Sequence, residues 1–98
     1  MNDITIEPEY KSLEKVLLDA LYQAQNGKGR IRHAKNSEPF EEQKICEITR
    51  RVGLGYPLGQ AIKKAEESQR LTGDKAVAEL LGAINYLAGA VIALESQP

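Results

Sequence analysis

The chain has few aromatic residues, one cysteine and almost no net charge. Among its 98 residues there are four Tyr, one Phe and no Trp, so a core must be built from Leu, Ile, Val and Ala. Cys46, the single cysteine, excludes an intramolecular disulfide framework and favours a reducing compartment. A net charge of −1 argues against duplex nucleic acid as a partner, because strong duplex binders are usually basic overall.

Neither a targeting segment nor a second domain is expected. The first nine residues are acidic and lack the apolar stretch of a secretory signal peptide, which predicts a cytoplasmic protein. A length of 98 residues leaves no room for two cores, so residues 1–98 are expected to form one domain.

Apolar spacing and helix-ending residues predict an all-α fold, a small bundle of about four helices. Asn26-Gly27 is expected to end the first helix in the left-handed conformation, Gly53-Leu54-Gly55 to break the second with Gly53 as its C-cap, and Asp74 to cap the start of the last. The predicted helices run from about Pro8 to Gln25, from Ser37 or Pro39 to Val52, from Pro57 to Leu71, and from Lys75 to Glu95.

The long C-terminal helix is apolar around most of its circumference, which predicts burial in the fold or in an oligomer. Its uncharged part, Leu80 to Leu94, is shorter than the roughly 20 residues that span a bilayer. Small residues at seven-residue spacing favour a homo-oligomer formed through this helix, although they would also suit an intrachain contact with the first or third helix. Asn85 would pair with its symmetry mate or be satisfied inside the protomer.

A cationic segment follows the first helix. It runs from Gly27 to Lys35 and holds four formal positive charges and the only histidine. Arg side chains match phosphate and carboxylate, and a cationic segment in a net acidic chain suggests an anionic ligand. The alternative is a solvated turn whose charges meet nearby glutamates. The candidate ligand-binding residues here are Lys28, Arg30, Arg32, His33 and Lys35.

A second candidate is the glycine-rich turn Gly53–Lys64, which leads into the third helix. Helix N-termini offer free N–H groups to anions, so Tyr56 could stack on a base, Gln60 read its edge and Lys63 reach a phosphate. The turn lacks the spacing and preceding strand of a phosphate-binding P-loop. The alternative is a corner between two helices.

No signature for catalysis or for a metal is complete, so no enzyme activity and no cofactor are predicted. His33 has no second histidine beside it, and Cys46 falls on an apolar helix face, as a core residue would. Helical nucleotide pyrophosphatases combine a Glu-x-x-Glu spacing with a later Asp on the next helix, and this combination is missing, because Glu38, Glu41 and Glu42 offer one acidic turn only. That activity and helix-turn-helix DNA binding remain third alternatives.

Four stretches resemble small uncharacterised proteins of phages and prophages, over about residues 28–95. In size, helical content and expected oligomerisation the chain is also similar to phage counter-defence sponge proteins, which bind nucleotide immune signals without cleaving them. The likeness implies a host-cytoplasmic sponge for a phosphorylated nucleotide-like ligand. The alternative is an inhibitor that binds a host protein through the basic segment. The stretches are Arg32–Ala34, Pro39–Gln43, Gly53–Lys64 and Glu79–Tyr86.

Overall fold

A computed structural model describes residues 4–27 and 38–97, and these residues form four α-helices and no strand. The all-α prediction is confirmed for this part of the chain. Short 3-10 turns at Pro8–Tyr10 and Phe40–Glu42 precede the first two helices. The helices are α1 (Lys11–Asn26), α2 (Lys44–Val52), α3 (Gly55–Ser68) and α4 (Gly73–Glu95).

The C-terminal helix α4 is the element on which the other three pack. A small core forms where α2, α3 and α4 meet, with Ile45, Ala61, Ala83 and Tyr86 buried together. Helix α1 lies along another side of α4 and buries only Ala20. Most of the side chains predicted to form its apolar face are therefore half exposed: Leu13, Val16, Leu17 and Leu21.

The helix ends show where local sequence reasoning was right and where it was wrong. Gly53 ends α2 as predicted, and its φ of +95° is a value that favours glycine. Gly27 ends α1 in an extended conformation instead, and a Cβ there would lie 2.5 Å from the Gln23 carbonyl oxygen. Helix α4 begins at Gly73, at φ +56°, with Thr72 as its N-cap, so the prediction of Asp74 as the cap was wrong. Ser37 lies outside the described residues.

The small residues of α4 make contacts within the chain. Gly82 lies against the side chain of Lys64 from α3, and Gly89 lies against Ile45 from α2. These contacts account for the two glycines without a second copy. The contact of Gly82 with the third helix is the intrachain alternative, whereas Gly89 meets the second helix, which that alternative did not name. Asn85 is also engaged inside the protomer, because its Nδ2 donates a hydrogen bond of 3.0 Å to the carbonyl oxygen of Ala20.

The opposite side of α4 is less buried than the sequence suggested. Only 33% of its most apolar 18-residue window is buried, and that window has a mean hydropathy of 1.8. By length and composition α4 is the one described helix that could cross a bilayer, a criterion that core helices of soluble proteins also meet.

Candidate functional site

The structure describes the two flanks of the basic segment. Lys28, Arg30, Arg32, His33 and Lys35 lie outside the described residues. On the N-terminal side, α1 ends at Asn26, and the chain continues through Gly27. On the C-terminal side, description resumes at Glu38. Gln25 and Glu38, one on each side of the basic segment in the sequence, both line the same surface groove.

This groove lies between α1, α4 and the 3-10 turn Phe40–Glu42, and it encloses about 560 Å³. Its volume is within the range of small-molecule sites, roughly 300 to 1,000 Å³. No residue of α3 is among the described residues that line it. Its apolar walls consist of Leu17, Ala20, Leu21, Ala24, Phe40, Ile84, Ala88 and Ile92.

Among the described residues, the polar groups of the groove are few and mostly bonded to backbone. Asn85 Nδ2 is bonded to the Ala20 carbonyl oxygen, and Gln43 Nε2 donates a hydrogen bond of 2.9 Å to the carbonyl oxygen of Glu38. Glu38 is the one ionisable residue among the described groove residues. The groove can therefore accept an uncharged, largely apolar group, and it offers amide groups at its edges for hydrogen bonding.

One further hydrogen bond holds α1 on α4 near the groove. Gln23 Nε2 donates a hydrogen bond of 3.0 Å to the carbonyl oxygen of Ala78, which fixes α1 to the N-terminal part of α4. Together with the bond from Asn85 to Ala20, it joins the two helices by side-chain amides. These bonds set the separation of the two walls in a region where Ala20 is the only buried α1 residue.

The glycine-rich turn forms a helix–helix corner, and its three candidate residues have different surroundings. Tyr56 is half-buried, and its ring meets that of Tyr86 edge to face, with centroids 5.9 Å apart and planes at 79°. Gln60 is half-buried. Lys63 is exposed, and its Nζ lies 3.8 Å from the carboxylate of Glu67 one helical turn away.

Lys64 lies closer to the aromatic pair than Lys63 does. Its Nζ is 3.5 Å from the carboxylate of Glu79 on α4 and 6.0 Å from the centre of the Tyr86 ring. Its aliphatic chain covers Gly82. Both lysines of this turn thus have a carboxylate neighbour within the chain, and Tyr56 is part of the packing around the core.

Cys46 is buried, as its position on an apolar face predicted. Burial raises the pKa of the thiol, an effect that Arg50 partly opposes and Glu41 adds to. A neutral, buried thiol is a poor nucleophile. Among the residues described, no three His, Cys, Asp or Glu side chains are grouped so that they could hold a metal ion.

The sequence did not predict the groove, although one feature of it pointed to an uncovered apolar surface. The first helix has a wide apolar face, Leu13 to Ala24, while the last helix is apolar nearly all round. Two such surfaces exceed what a core of this size can cover. What could not be read from sequence is that α1 would bury only Ala20 as it packs on α4 and leave its leucines half exposed.

Comparison with known proteins adds no assignment. No family model matches the chain, and neither a curated protein nor a solved structure is detectably similar to it. The resemblance to phage proteins and to nucleotide sponges therefore stays a prediction from the sequence.

Proposed function

We propose that the protein binds a phosphorylated, nucleotide-like ligand without turning it over. The base, or another planar apolar group, occupies the groove between α1 and α4. The phosphates meet the basic residues between Gly27 and Glu38. The observation that carries the proposal is that Gln25 and Glu38, on either side of the basic segment, both line the groove.

Complementary chemistry supports a ligand with two unlike ends. The groove walls are apolar, with the amides of Asn85 and Gln43 beside them, which suits a base more than a phosphate. Glu38 would repel a phosphate placed inside the groove. The neighbouring segment supplies Lys28, Arg30, Arg32 and Lys35, and Arg binds phosphate through paired N–H groups.

This proposal moves the base away from Tyr56 and Gln60. Tyr56 already packs on Tyr86, and Lys63 already faces Glu67. A ligand there would compete with contacts that the chain makes for itself. Sequestration without reaction also fits a thiol that is buried and has a raised pKa.

Isothermal titration calorimetry against a panel of cyclic and linear nucleotides tests the proposal. We expect saturable binding of at least one nucleotide. Leu21→Glu should weaken this binding at least about tenfold, because an apolar base in the groove would bury the new carboxylate without a partner. The matched control is Leu18→Glu on the same helix. Leu18 is 54% exposed and Leu21 52%, but Leu18 does not line the groove.

The basic half is tested separately by Arg30→Ala/Arg32→Ala, which should weaken binding and flatten its salt dependence. Absence of heat with every nucleotide, or equal binding in Leu21→Glu and Leu18→Glu, would overturn the proposal. Capture of one host protein that needs the basic residues, with no nucleotide binding, would favour the inhibitor hypothesis instead.

A further inference from the structure

The exposed side of α4 carries a second seven-residue repeat, formed by large aliphatic residues in addition to the small ones. Val77, Ile84 and Val91 recur every seven residues, and Leu80, Leu87 and Leu94 recur at the same interval, three residues after each of them. The combined spacing of three and four is that of positions a and d in a coiled coil.

Among the described residues, this stripe, which we call the Val/Leu seam, is left largely uncovered. Five of its six side chains are 45% to 52% exposed, and Ile84, at the edge of the groove, is half-buried. At 100° per residue the seam is centred roughly 130° around the helix from the buried side chains. Those buried residues, which hold α4 in its own fold, are Gly82, Ala83, Tyr86, Gly89, Ala90 and Ala93.

We propose that the Val/Leu seam pairs with the same seam of a second copy of the chain, with the two helices parallel and in register. β-Branched residues at a with Leu at d are the combination that favours parallel two-stranded pairing. The seam is self-complementary, as an interface around a two-fold axis requires. The proposal needs no ligand, although Ile84 belongs both to the seam and to the wall of the groove.

The residues that flank the seam allow close approach. Ala83 and Ala90 border it on one side and Leu81 and Ala88 on the other, so no charge lies beside it between Lys75 and Glu95. Glu79, the one charged residue inside that stretch, points away to Lys64 on α3. No like charge therefore opposes its mate at the central part of the seam.

The length of the seam fits an interface supported by a prior fold. From Val77 to Leu94 the helix is about 27 Å long, at 1.5 Å per residue. Two and a half heptads are marginal for isolated peptides, because helix formation and association must then occur together. Here α4 is already held by contacts with α1, α2 and α3, so pairing does not bear the cost of ordering the helix.

Sedimentation velocity and light scattering at concentrations up to about 100 μM test the proposal without detergent. We expect a species of twice the 10.8 kDa chain mass, and a dissociation constant raised at least about tenfold by Leu87→Asp, because a carboxylate at d would be buried in the pair. Leu58→Asp on α3 is the matched control, because Leu58 and Leu87 are both 45% exposed. Circular dichroism checks that both variants remain helical, which we expect because both positions are partly exposed.

The orientation is tested by Leu80→Cys under mild oxidation. Parallel pairing brings the two d positions together, so a disulfide-linked dimer should form, whereas wild type, with only the buried Cys46, should give none. A monomer at every concentration, a dimer that Leu87→Asp and Leu58→Asp affect equally, or a dimer without the Leu80→Cys cross-link would overturn the proposal. Flotation with phosphatidylcholine vesicles that Leu87→Asp abolishes, from a monomer in buffer, would assign the seam to a membrane surface instead.

Discussion

Gly89 of α4 lies so close to Ile45 of α2 that a Cβ on Gly89 would be 2.6 Å from Ile45 Cγ2. Real Cβ atoms do not approach other atoms so closely. Ile45 is buried and β-branched, which restricts its side chain at χ1. The glycine is therefore required by a contact inside the chain, and this contact holds α2 on α4.

Gly89→Ala should lower the free energy of unfolding by about 1 to 3 kcal/mol, because Ile45 or the helix backbone must move. Gly82→Ala is the matched control. There the Cβ would meet Lys64 Cδ at 3.0 Å, and a flexible side chain can shift, so the higher helix propensity of Ala should leave stability equal or raise it by up to about 1 kcal/mol. Urea denaturation of both variants measures the difference. Equal effects would contradict the close contact.

Asn85→Ala should destabilise the chain by about 1 kcal/mol, because it removes a part-buried hydrogen bond between α4 and α1. Asn26→Ala removes an exposed bond within α1, to the Tyr22 carbonyl oxygen, and should change stability by no more than about 0.5 kcal/mol. Denaturation followed by circular dichroism compares the two. An Asn85→Ala chain as stable as wild type would show that this amide does not hold α1 in place.

Tyr56→Leu should lower stability by about 1 kcal/mol through loss of the edge-to-face contact with Tyr86. Tyr22→Leu is the control, since Tyr22 is 68% exposed, and it should be nearly neutral. Thermal melts of the unliganded variants separate the two roles proposed for Tyr56. If Tyr56→Leu melts like wild type but binds nucleotide more weakly, Tyr56 contacts the ligand and not the core.

The buried thiol of Cys46 should make stability fall at alkaline pH. Its pKa is raised in the folded state, so the folded chain keeps a proton that the unfolded chain loses from about pH 8.5 upward. The contribution of the protonated thiol to the free energy of unfolding is complete below that pH. It is lost as the pH rises towards the pKa of the thiol in the folded state. The difference in unfolding free energy between wild type and Cys46→Ala, measured from neutral pH to pH 10, should be smallest at the alkaline end, because only the wild type loses this contribution. A constant difference across this range would contradict the raised pKa.

Helix number and type could be read from the sequence because they depend on local chemistry. Gly53 and the turn around Gly73 mark helix ends through conformations that glycine adopts readily, and the structure has both at a positive φ. The residues at which the helices begin were harder to predict. Asp74 looked like a cap, but Gly73 with its positive φ already belongs to α4, which places the cap at Thr72.

Which neighbour a helix face meets could not be read from the sequence. Gly82 and Gly89 suggested a contact between subunits, yet Lys64 and Ile45 fill the space beside them. The spacing of small residues predicts that another part of the protein approaches this helix closely. It does not say which element that is. The Val/Leu seam lies in the same stretch of sequence. Spacing alone does not single it out, because a helix that is apolar on nearly all sides carries several periodic patterns at once.

The candidate site was predictable only in part. Composition located the cationic residues between Gly27 and Lys35, but the groove beside their flanks depends on how α1 rests on α4. Tyr56 illustrates the difficulty, because a Tyr beside a glycine-rich turn suits a base or another Tyr equally well. In the structure its ring packs on Tyr86.

The most direct test of the proposed function is methyl NMR of the protein titrated with the nucleotide that gives the strongest heat. The account predicts shifts concentrated at groove methyl groups, those of Leu17, Leu21, Ile84 and Ile92, with Leu58 and Ile62 on α3 unchanged. Shifts confined to α3 near Tyr56, or no shift at saturating ligand, would contradict the account.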